Sequence, residues 1–354
     1  MSSKVLVTGA GGFVGTHLVN ELHNQGYEIT ATSLNMPWYL RKQNSLKISF
    51  IPLDLKNGNN LESLVENKDV VYHLGAVFNF SAPRELLEVV NIRGTEKLAK
   101  ACAKAGVKKF IYFSSGAIYG PGEDETPVDE KKQPRPADNY AWSKWEGEQK
   151  AFEQNGVNGM QVISLRPGAI YGPYSVYGDA LAMWLLKKGL MVGIPGFGRI
   201  VSSHVHVKDC VKSAIHLADL SLTGSINAST PHEVAYNICD DTPTPNAELL
   251  KAAAKLIRHK GLIGFFSFLR LPTPLLKFAA LLAEGFAKIT NSKPLFDRVS
   301  IDYITTQRSL DNRKLKKTGY QLLYPRIFDA LEETIRWYEE TGWRTFRIER
   351  YYWN

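Results

Sequence analysis

The sequence predicts an α/β protein built on a doubly wound parallel sheet, with a smaller, mostly C-terminal lobe. Three observations support this fold class. Short apolar runs alternate with helical patterns through the first half of the chain. A glycine-rich turn follows the first of these runs. The alternation stops near residue 166, after which glycines and prolines repeatedly interrupt the chain.

Six strands are expected in the first half of the chain. They are Val5–Thr8, Ile29–Thr32, Ser49–Leu53, Val70–Leu74, Phe110–Phe113 and Gln161–Leu165. Between the fourth and fifth strands, Asn91 to Ala105 carries apolar residues at helical spacing, and Gly106 follows where a helix would end. This spacing predicts the crossover helix that two parallel strands need.

Composition excludes several classes of function. The chain has 354 residues, of which 44% are hydrophobic and 22% charged, as in an ordinary globular protein. Its formal net charge is +8, but the basic residues are scattered, so we expect no nucleic-acid partner, and an anionic ligand accounts for the excess. Three scattered cysteines form neither a disulfide framework nor a metal motif. His204 and His206 have no evident third ligand, so no metal site is expected.

The glycine-rich turn is typical of a dinucleotide site. Thr8-Gly9-Ala10-Gly11-Gly12-Phe13-Val14-Gly15 lies between a β-prone segment and the helical pattern of residues 16–23. Gly9 allows a tight turn, Gly12 allows the backbone to approach a pyrophosphate, and Gly15 allows the helix to pack closely on the sheet. Because the helix N-terminus favours an anion, this turn predicts a Rossmann-type domain that binds NAD or NADP.

The second strand usually ends in the residue that reads the adenosine ribose, which is an acid where the 2′-hydroxyl is free. No acid stands there, and basic residues follow only at Arg41 and Lys42. The residues present are Thr32, Ser33, Leu34 and Asn35. This favours NADP weakly over NAD.

Ser115, Tyr140 and Lys144 form the predicted catalytic set. Ser115 follows an apolar strand, and the carboxyl ends of such strands carry ligands in doubly wound sheets. Tyr140 and Lys144 are four residues apart and share one face if the segment is helical. A phenol is a poor base at pH 7, so a nearby ammonium must favour the phenolate. Ser115 would hold a substrate oxygen while Tyr140 moves its proton.

The chain resembles the extended short-chain dehydrogenases/reductases of the NAD-dependent epimerase/dehydratase superfamily over most of its length. Its motifs stand in the family's order. They are Thr8-Gly9-x-x-Gly12-x-x-Gly15, Asp54-Leu55, His73-Leu74-Gly75-Ala76, Asn91-x-x-Gly94-Thr95, Ser114-Ser115-Gly116-Ala117-Ile118-Tyr119-Gly120, Tyr140-x-x-x-Lys144 and Arg166-Pro167-Gly168-Ala169-Ile170-Tyr171-Gly172-Pro173.

This resemblance implies roles for individual residues. Ser115, Tyr140 and Lys144 would be catalytic, and the nicotinamide side of the cofactor would lie at Pro167. The remaining cofactor contacts would be made by Gly9, Gly12, Phe13, Val14, Gly15, Asp54, Leu55, Leu74, Gly75, Ala76 and Asn91, together with Tyr140 and Lys144. Asp54 could instead only end a strand in a turn, Asn91 could be only a helix N-cap, and Arg166 could be a structural ion pair. A homodimer is the family's usual assembly, through residues 91–105 and 140–152.

Departures from the family pattern indicate the type of reaction. The sugar 4,6-dehydratases carry an acidic pair after the catalytic hydroxyl, whereas Ser115 is followed by Gly116, Ala117 and Ile118. Nucleotide-sugar epimerases usually have Asn at the position of Ala169, so the segment is nearer the 3β-hydroxysteroid dehydrogenase and dihydroflavonol-reductase-like branch. We therefore expect a dehydrogenase or reductase for a lipophilic small molecule. A nucleotide-sugar epimerase, favoured by Arg199 as a phosphate contact, and a non-catalytic NAD(P)-binding protein remain as alternatives.

An apolar stretch at residues 261–285 is interrupted by Arg270, Pro272, Pro274 and Lys277, so it does not read as a membrane-spanning helix. Three roles remain open for this stretch: a buried helix pair, an apolar substrate pocket and a peripheral membrane contact. We expect residues 1–166 to form the NAD(P)-binding domain, with about 200–225 returning to it. Residues 167–199 and 226–320 would form the substrate lobe, followed by a C-terminal helix and aromatic tail at 321–354. The cysteine usage and the N-terminal pattern predict a cytoplasmic protein.

Overall fold

The computed structural model describes residues 3–36, 47–80, 82–121, 127–191, 193–198, 200–221, 225–257, 269–290 and 298–348. Arg41, Lys42, Arg199 and residues 261–268 lie outside these ranges, so the predictions made for them are not addressed below. Within the described ranges, no helix combines the length and the apolar character that crossing a bilayer requires.

Seven parallel strands form the main sheet, in the order β3-β2-β1-β4-β5-β6-β11. They are β1 (Lys4–Thr8), β2 (Glu28–Ser33), β3 (Ile48–Pro52), β4 (Val70–His73), β5 (Lys109–Phe113), β6 (Gln161–Pro167) and β11 (Ala235–Ile238). The six predicted strands are confirmed. Three short pairs add β7 (Ala169–Tyr171) with β10 (His204–His206), β8 (Ile194–Pro195) with β13 (Arg270–Leu271), and β9 (Val201–Ser202) with β12 (Thr244–Pro245).

Helices cover both faces of the sheet because its buried strands present apolar side chains on alternate sides. Val5 and Val7 of β1 pack in a core with the helices Phe13–Asn24 and Val207–Asp219, whereas Leu6 packs in a second core with Leu61–Val65 and Gly94–Lys104. The helices are α1 (Phe13–Asn24), α2 (Leu61–Val65), α3 (Arg84–Leu87), α4 (Gly94–Lys104), α5 (Asn139–Phe152), α6 (Gly178–Lys188), α7 (Val207–Asp219), α8 (Pro231–Val234), α9 (Asn246–Leu256), α10 (Thr273–Ile289), α11 (Arg298–Ile304), α12 (Arg313–Lys316), α13 (Ile327–Glu340) and α14 (Thr345–Ile348).

The crossover helix begins earlier than its sequence pattern indicates. Helical backbone starts at Arg84, passes through a π-helical turn at Glu88–Arg93 and continues as α4, and Gly106 follows it with a φ of +77°. Asn91 therefore lies inside the helix, and the alternative that it is an N-cap is wrong. A π-turn inserts one extra residue into a helix and is frequent at functional sites.

The lobe boundary also differs from the expectation. Residues 235–238 form β11 beside β6, although the sequence assigns residues 226–320 to the substrate lobe. The strand is short and apolar, so its pattern alone does not tell which sheet it joins. α13 packs against α6 and α9 in the core of the lobe, so Ile327–Glu340 is part of that lobe.

Candidate functional site

The three predicted glycines of the first turn have two different structural roles. Gly9 has a φ of +69°, and a Cβ there would lie 2.7 Å from the Gly75 nitrogen. A Cβ on Gly15 would overlap the Gly9 carbonyl oxygen. At Gly12 the nearest atom to a Cβ would be that same oxygen, at 3.3 Å, and Gly12 is exposed. Packing within the protein therefore requires Gly9 and Gly15, while Gly12 keeps open the space outside the turn.

That space faces the start of α1. Gly12 is the N-cap and has no side chain to bond the first-turn N–H groups, which begin with the half-buried Phe13 and Val14. An uncapped helix N-terminus beside exposed glycine backbone suits a diphosphate, because both the N–H groups and the helix dipole favour an anion. The residues present therefore fit the dinucleotide that the sequence implies.

A buried hydrogen-bond chain holds the turn after β4. The Gly75 N–H donates to Thr8 Oγ1 (3.0 Å), which lies 2.7 Å from His73 Nδ1. His73 Nε2 lies 2.9 Å from Thr95 Oγ1, and that hydroxyl donates to the Asn91 carbonyl oxygen. Burial lowers the pKa of His73 to about 3, so the ring is neutral. It therefore donates from Nε2 and accepts from Thr8 at Nδ1, which orients the half-buried Leu74, Gly75 and Ala76.

Asn91 joins this turn to α5. Its Oδ1 accepts from the Val77 N–H (2.7 Å), and its Nδ2 donates to the Val77 carbonyl and to Ser143 Oγ. Ser143 in turn donates to the Tyr140 carbonyl oxygen. The amide of Asn91 thus uses each of its polar atoms on protein groups. A direct contact between Asn91 and a cofactor stays a prediction.

The expected adenine end of the site lies after β2 and β3. Asp54 accepts from the Lys56 N–H (2.9 Å) and so closes a turn, and Leu55 packs against Gly75. β2 ends at Ser33, whose hydroxyl donates to the Asn35 carbonyl oxygen. Asp54 lies after β3, and the hydrogen bond at the end of β2 involves no acidic side chain.

Ser115 lies at the carboxyl end of β5. Its Oγ accepts from the Ala117 N–H (3.1 Å), which leaves its own proton for another acceptor. A 3₁₀ helix at Gly116–Tyr119 follows at once. A Cβ on Gly116 would lie 2.8 Å from Leu310 Cδ1 and 2.9 Å from the Pro167 carbonyl oxygen, so the position has no room for an acidic side chain.

Tyr140 and Lys144 lie one turn apart in α5, whose N-cap Asp138 accepts from the Ala141 N–H (2.7 Å). Lys144 is buried with its ammonium 4.3 Å from the centre of the Tyr112 ring. Burial lowers the pKa of Lys144 to about 7, and the charge of Glu148 one turn further on opposes this shift. The spacing of the pair and its shared helix face agree with the sequence prediction.

Three aromatic side chains that the sequence analysis did not single out form a cluster with Tyr140. The ring centres of Phe78 and Phe80 lie 5.1 and 5.3 Å from that of Tyr140, both edge to face. Tyr177 meets Phe78 at 5.0 Å. We call Phe78, Phe80 and Tyr177 the aromatic collar. The sequence signal for this collar was the spacing of Phe78 and Phe80 shortly after Ala76, since alternate residues of an extended segment share one side.

A buried polar network joins α5 to β6. Arg166 of β6 forms an ion pair with Glu148, and its Nη1 donates to Tyr119 Oη (2.8 Å) and to the Glu130 carbonyl oxygen (3.1 Å). Burial alone would lower the pKa of Arg166, but the negative charge of Glu148 and the hydrogen bonds to Glu148 and Tyr119 raise it and keep Arg166 charged. Arg166 therefore has the structural role that the sequence left open, and Pro167 follows it at the end of β6.

The sheet order explains why these residues meet. β1, β4, β5 and β6 are consecutive neighbours and run parallel, so the glycine turn, residues 74–76, Ser115 and Pro167 all emerge at one edge. The chain adds β2 and β3 on one side of β1 and then β4, β5 and β6 on the other, so the strand order reverses between β1 and β4, which is the switch point where ligands bind in such sheets.

The two histidines of β10 bond to protein groups through Nδ1. His204 Nδ1 pairs with Asp179 (2.8 Å), and His206 Nδ1 accepts from the Lys208 N–H. Across the described part of the chain, no group of three or more His, Cys, Asp or Glu side chains is arranged to hold a metal ion.

Comparison with known proteins agrees with this geometry. Residues 5–238 match the family model described as NAD dependent epimerase/dehydratase. Human short-chain dehydrogenase/reductase family 42E member 1 is 28% identical over 364 residues, covering 96% of this chain and 88% of the relative. A 3-beta-hydroxysteroid dehydrogenase of Mycolicibacterium neoaurum is 32% identical over 178 residues, 48% of each chain. The structure of UDP-glucose 4-epimerase from Thermotoga maritima superposes with a TM-score of 0.74 at 22% identity, covering 96% and 99% of the two chains.

Proposed function

The chain belongs to the NAD-dependent epimerase/dehydratase family, and from this premise we propose that it interconverts a secondary alcohol and a ketone on a lipophilic small molecule. The observation that carries this proposal is the aromatic collar around Tyr140. Aromatic rings packed edge to face against the Tyr140 ring favour an apolar substrate, which gains ~25 cal/mol for each Å² it buries. The Phe78 and Phe80 side chains offer no hydrogen-bond partner to the hydroxyl groups of a sugar.

The chain's own residues supply the acid–base chemistry. The dinucleotide, when bound, supplies or accepts the hydride. Ser115 donates its free proton to the substrate oxygen, because its Oγ already accepts from Ala117. Tyr140 donates its phenol proton to the carbonyl oxygen during reduction and removes it during oxidation. Lys144 in its charged form favours the phenolate of Tyr140, and both side chains are buried.

The cofactor would lie across the edge of the sheet described above. Gly12 and the first turn of α1 would hold the diphosphate, Asp54 and Leu55 the adenine side, and Ala76 and Pro167 the nicotinamide side. A preference for NADP rests on the absence of an acid at the end of β2, where Ser33 and Asn35 bond each other. Titration with NADP⁺ and NAD⁺ tests it, and at least about tenfold tighter binding of NAD⁺ would overturn it.

Turnover of a panel of apolar ketones with NADPH tests the catalytic proposal. Tyr140→Phe removes the proton that is transferred and is expected to lower kcat by about 10²-fold or more. Tyr27→Phe, which removes an exposed hydroxyl bonded to Asp219, is the matched control and should leave kcat unchanged. Unchanged turnover in Tyr140→Phe would refute the catalytic role and favour a non-catalytic NAD(P)-binding protein.

A nucleotide-sugar epimerase is the second candidate. A cleft of about 630 Å³ in the C-terminal lobe is lined by Gly196 and Gly198 and by the basic residues Lys251 and Arg270. Glycine backbone and basic side chains suit a diphosphate, although the acidic Glu248 also lines the cleft. Tyr140 and the residues around it are not among those that line this cleft. Epimerisation of a UDP-sugar without net change in NAD absorbance, with no reduction of apolar ketones, would establish this alternative.

Two further features complete the proposal. A homodimer through the exposed sides of α4 and α5 is expected from the family resemblance, and sedimentation at micromolar concentration showing only monomer would contradict it. The three cysteines, Cys102, Cys210 and Cys239, are buried free thiols, which supports a reducing compartment such as the cytoplasm.

A further inference from the structure

Helix α10 is amphipathic, and its apolar side faces solvent. On the other side Ala280 and Ala287 are buried and Leu276 is half-buried. Lys277 pairs with Asp302 (2.6 Å) and Glu284 with Arg298 (3.0 Å), both on or at the start of α11. These buried residues and the two ion pairs attach the helix to the lobe.

The opposite side of α10 is an exposed apolar surface. Six large side chains lie on it, with 46% to 86% of each exposed. They are Leu275, Phe278, Leu281, Leu282, Phe286 and Ile289, which we call the α10 face. Five of the six recur at intervals of three or four residues, so they line one continuous stripe on the helix. This exposure excludes a buried helix as the role of residues 273–289.

The charge of the sequence on either side of α10 indicates what covers the α10 face. Between residues 255 and 298 the sequence has eight Lys and Arg residues against two Asp and Glu residues, so this stretch carries most of the formal net charge of +8. An exposed apolar stripe on a helix within a basic stretch of sequence is the pattern of a helix that lies in the interface of a membrane with anionic lipids. A protein interface would instead carry a polar rim that supplies hydrogen bonds.

The preceding sequence extends the same character. Residues 261–269 read Gly-Leu-Ile-Gly-Phe-Phe-Ser-Phe-Leu, with no charged residue. The exposed apolar side of α10 and the ion pairs on its other side suit a helix that lies flat on a bilayer. We propose that the α10 face binds an anionic lipid surface and holds the enzyme against the membrane. This goes beyond the catalytic proposal and does not depend on it.

Co-sedimentation of the full chain with lipid vesicles tests this inference. We expect binding to vesicles of phosphatidylcholine with phosphatidylserine, weaker binding to phosphatidylcholine alone, and a further loss at high ionic strength. Phe278→Ser with Leu282→Ser should lower the partition coefficient by about tenfold or more. Leu323→Ser is the matched control, because Leu323 is 52% exposed and lies outside α10. Melting curves and dinucleotide titrations of both variants check that the fold and cofactor site are intact.

Three outcomes would overturn the inference. Wild-type protein could fail to bind the anionic vesicles, or the double variant could bind them as well as the wild type. The wild type could also sediment as a dimer that the double variant converts to monomer, with no binding to vesicles. In that last case a second copy of the chain would cover the α10 face.

Discussion

Glu148 links the stability of the fold to the chemistry of the site. Its side chain is 1% exposed and forms an ion pair with Arg166, which is 0% exposed, through a contact that includes Arg166 Nε at 3.1 Å. Glu148→Gln keeps the shape but removes the charge, so it leaves a buried cation. Breaking one side of a buried pair costs about 3–5 kcal/mol. We expect the lower end, because Arg166 keeps its bonds to Tyr119 and to the Glu130 carbonyl.

Urea denaturation followed by tryptophan fluorescence measures this loss from the midpoint and slope of the transition. Glu153→Gln is the control on the same helix. Glu153 pairs with Lys150 at 2.7 Å on the surface, where such a pair contributes about 0.2–1 kcal/mol. If the two variants lose equal free energy of unfolding, the buried network does not stabilise α5 as described.

The same substitution also tests the electrostatics of the site. The charge of Glu148 raises the pKa of Lys144 against the larger effect of burial, which brings it to about 7. Without that charge the pKa of Lys144 falls, and Lys144 is uncharged at neutral pH. The phenolate of Tyr140 then loses its support, so the acidic limb of the pH profile for alcohol oxidation should move to higher pH. An unmoved limb, or one displaced to lower pH, would refute this coupling.

Three further expectations concern single positions. Because the folded-state pKa of Lys144 is lowered to about 7, the unfolded chain binds more protons than the folded chain between pH 7 and 10. The free energy of unfolding should therefore rise in this range by up to about 1.4 kcal/mol per pH unit. Lys144→Met should lack this rise in urea titrations without dinucleotide, and an equal rise in both proteins would contradict the lowered pKa. Gly12→Ala should fold but bind dinucleotide at least about tenfold more weakly by fluorescence, whereas Gly15→Ala should lower the urea midpoint; equal effects of the two changes would contradict the roles assigned from their surroundings. Phe78→Ala should lower kcat/KM for apolar ketones by about tenfold or more, and Phe328→Ala, at a position of similar exposure, should not. An equal loss in both variants would refute a role of the collar in binding the substrate.

Local sequence signals predict the sheet and its ligand edge well. The six strands of the first half are found with ends that differ by no more than one or two residues, because each is a short apolar run bounded by turn residues. The glycine turn leads directly into α1, and Tyr140 and Lys144 share a face of α5. These features depend on the spacing of residues close together in the chain.

Other features require partners that are distant in sequence. β11 could not be assigned to the main sheet from its four residues, because only its pairing with β6 distinguishes it from a strand of the lobe. The earlier start of the crossover helix depends on the π-turn that places Asn91 against Val77 and Ser143. The α10 face reads as an ordinary apolar stretch until its charged side is found paired with α11.

The sequence by itself determined the fold class, the glycine turn and the spacing of Tyr140 and Lys144, since each follows from residue type and local spacing, whereas the grouping of Ser115 with that pair as a catalytic set follows from the family resemblance. Only the tertiary structure decided that aromatic rings surround Tyr140 and that burial brings the pKa of Lys144 to about 7. The physical reason is that dielectric environment and side-chain contact are properties of what packs around a residue. That neighbourhood is assembled from segments far apart in the chain.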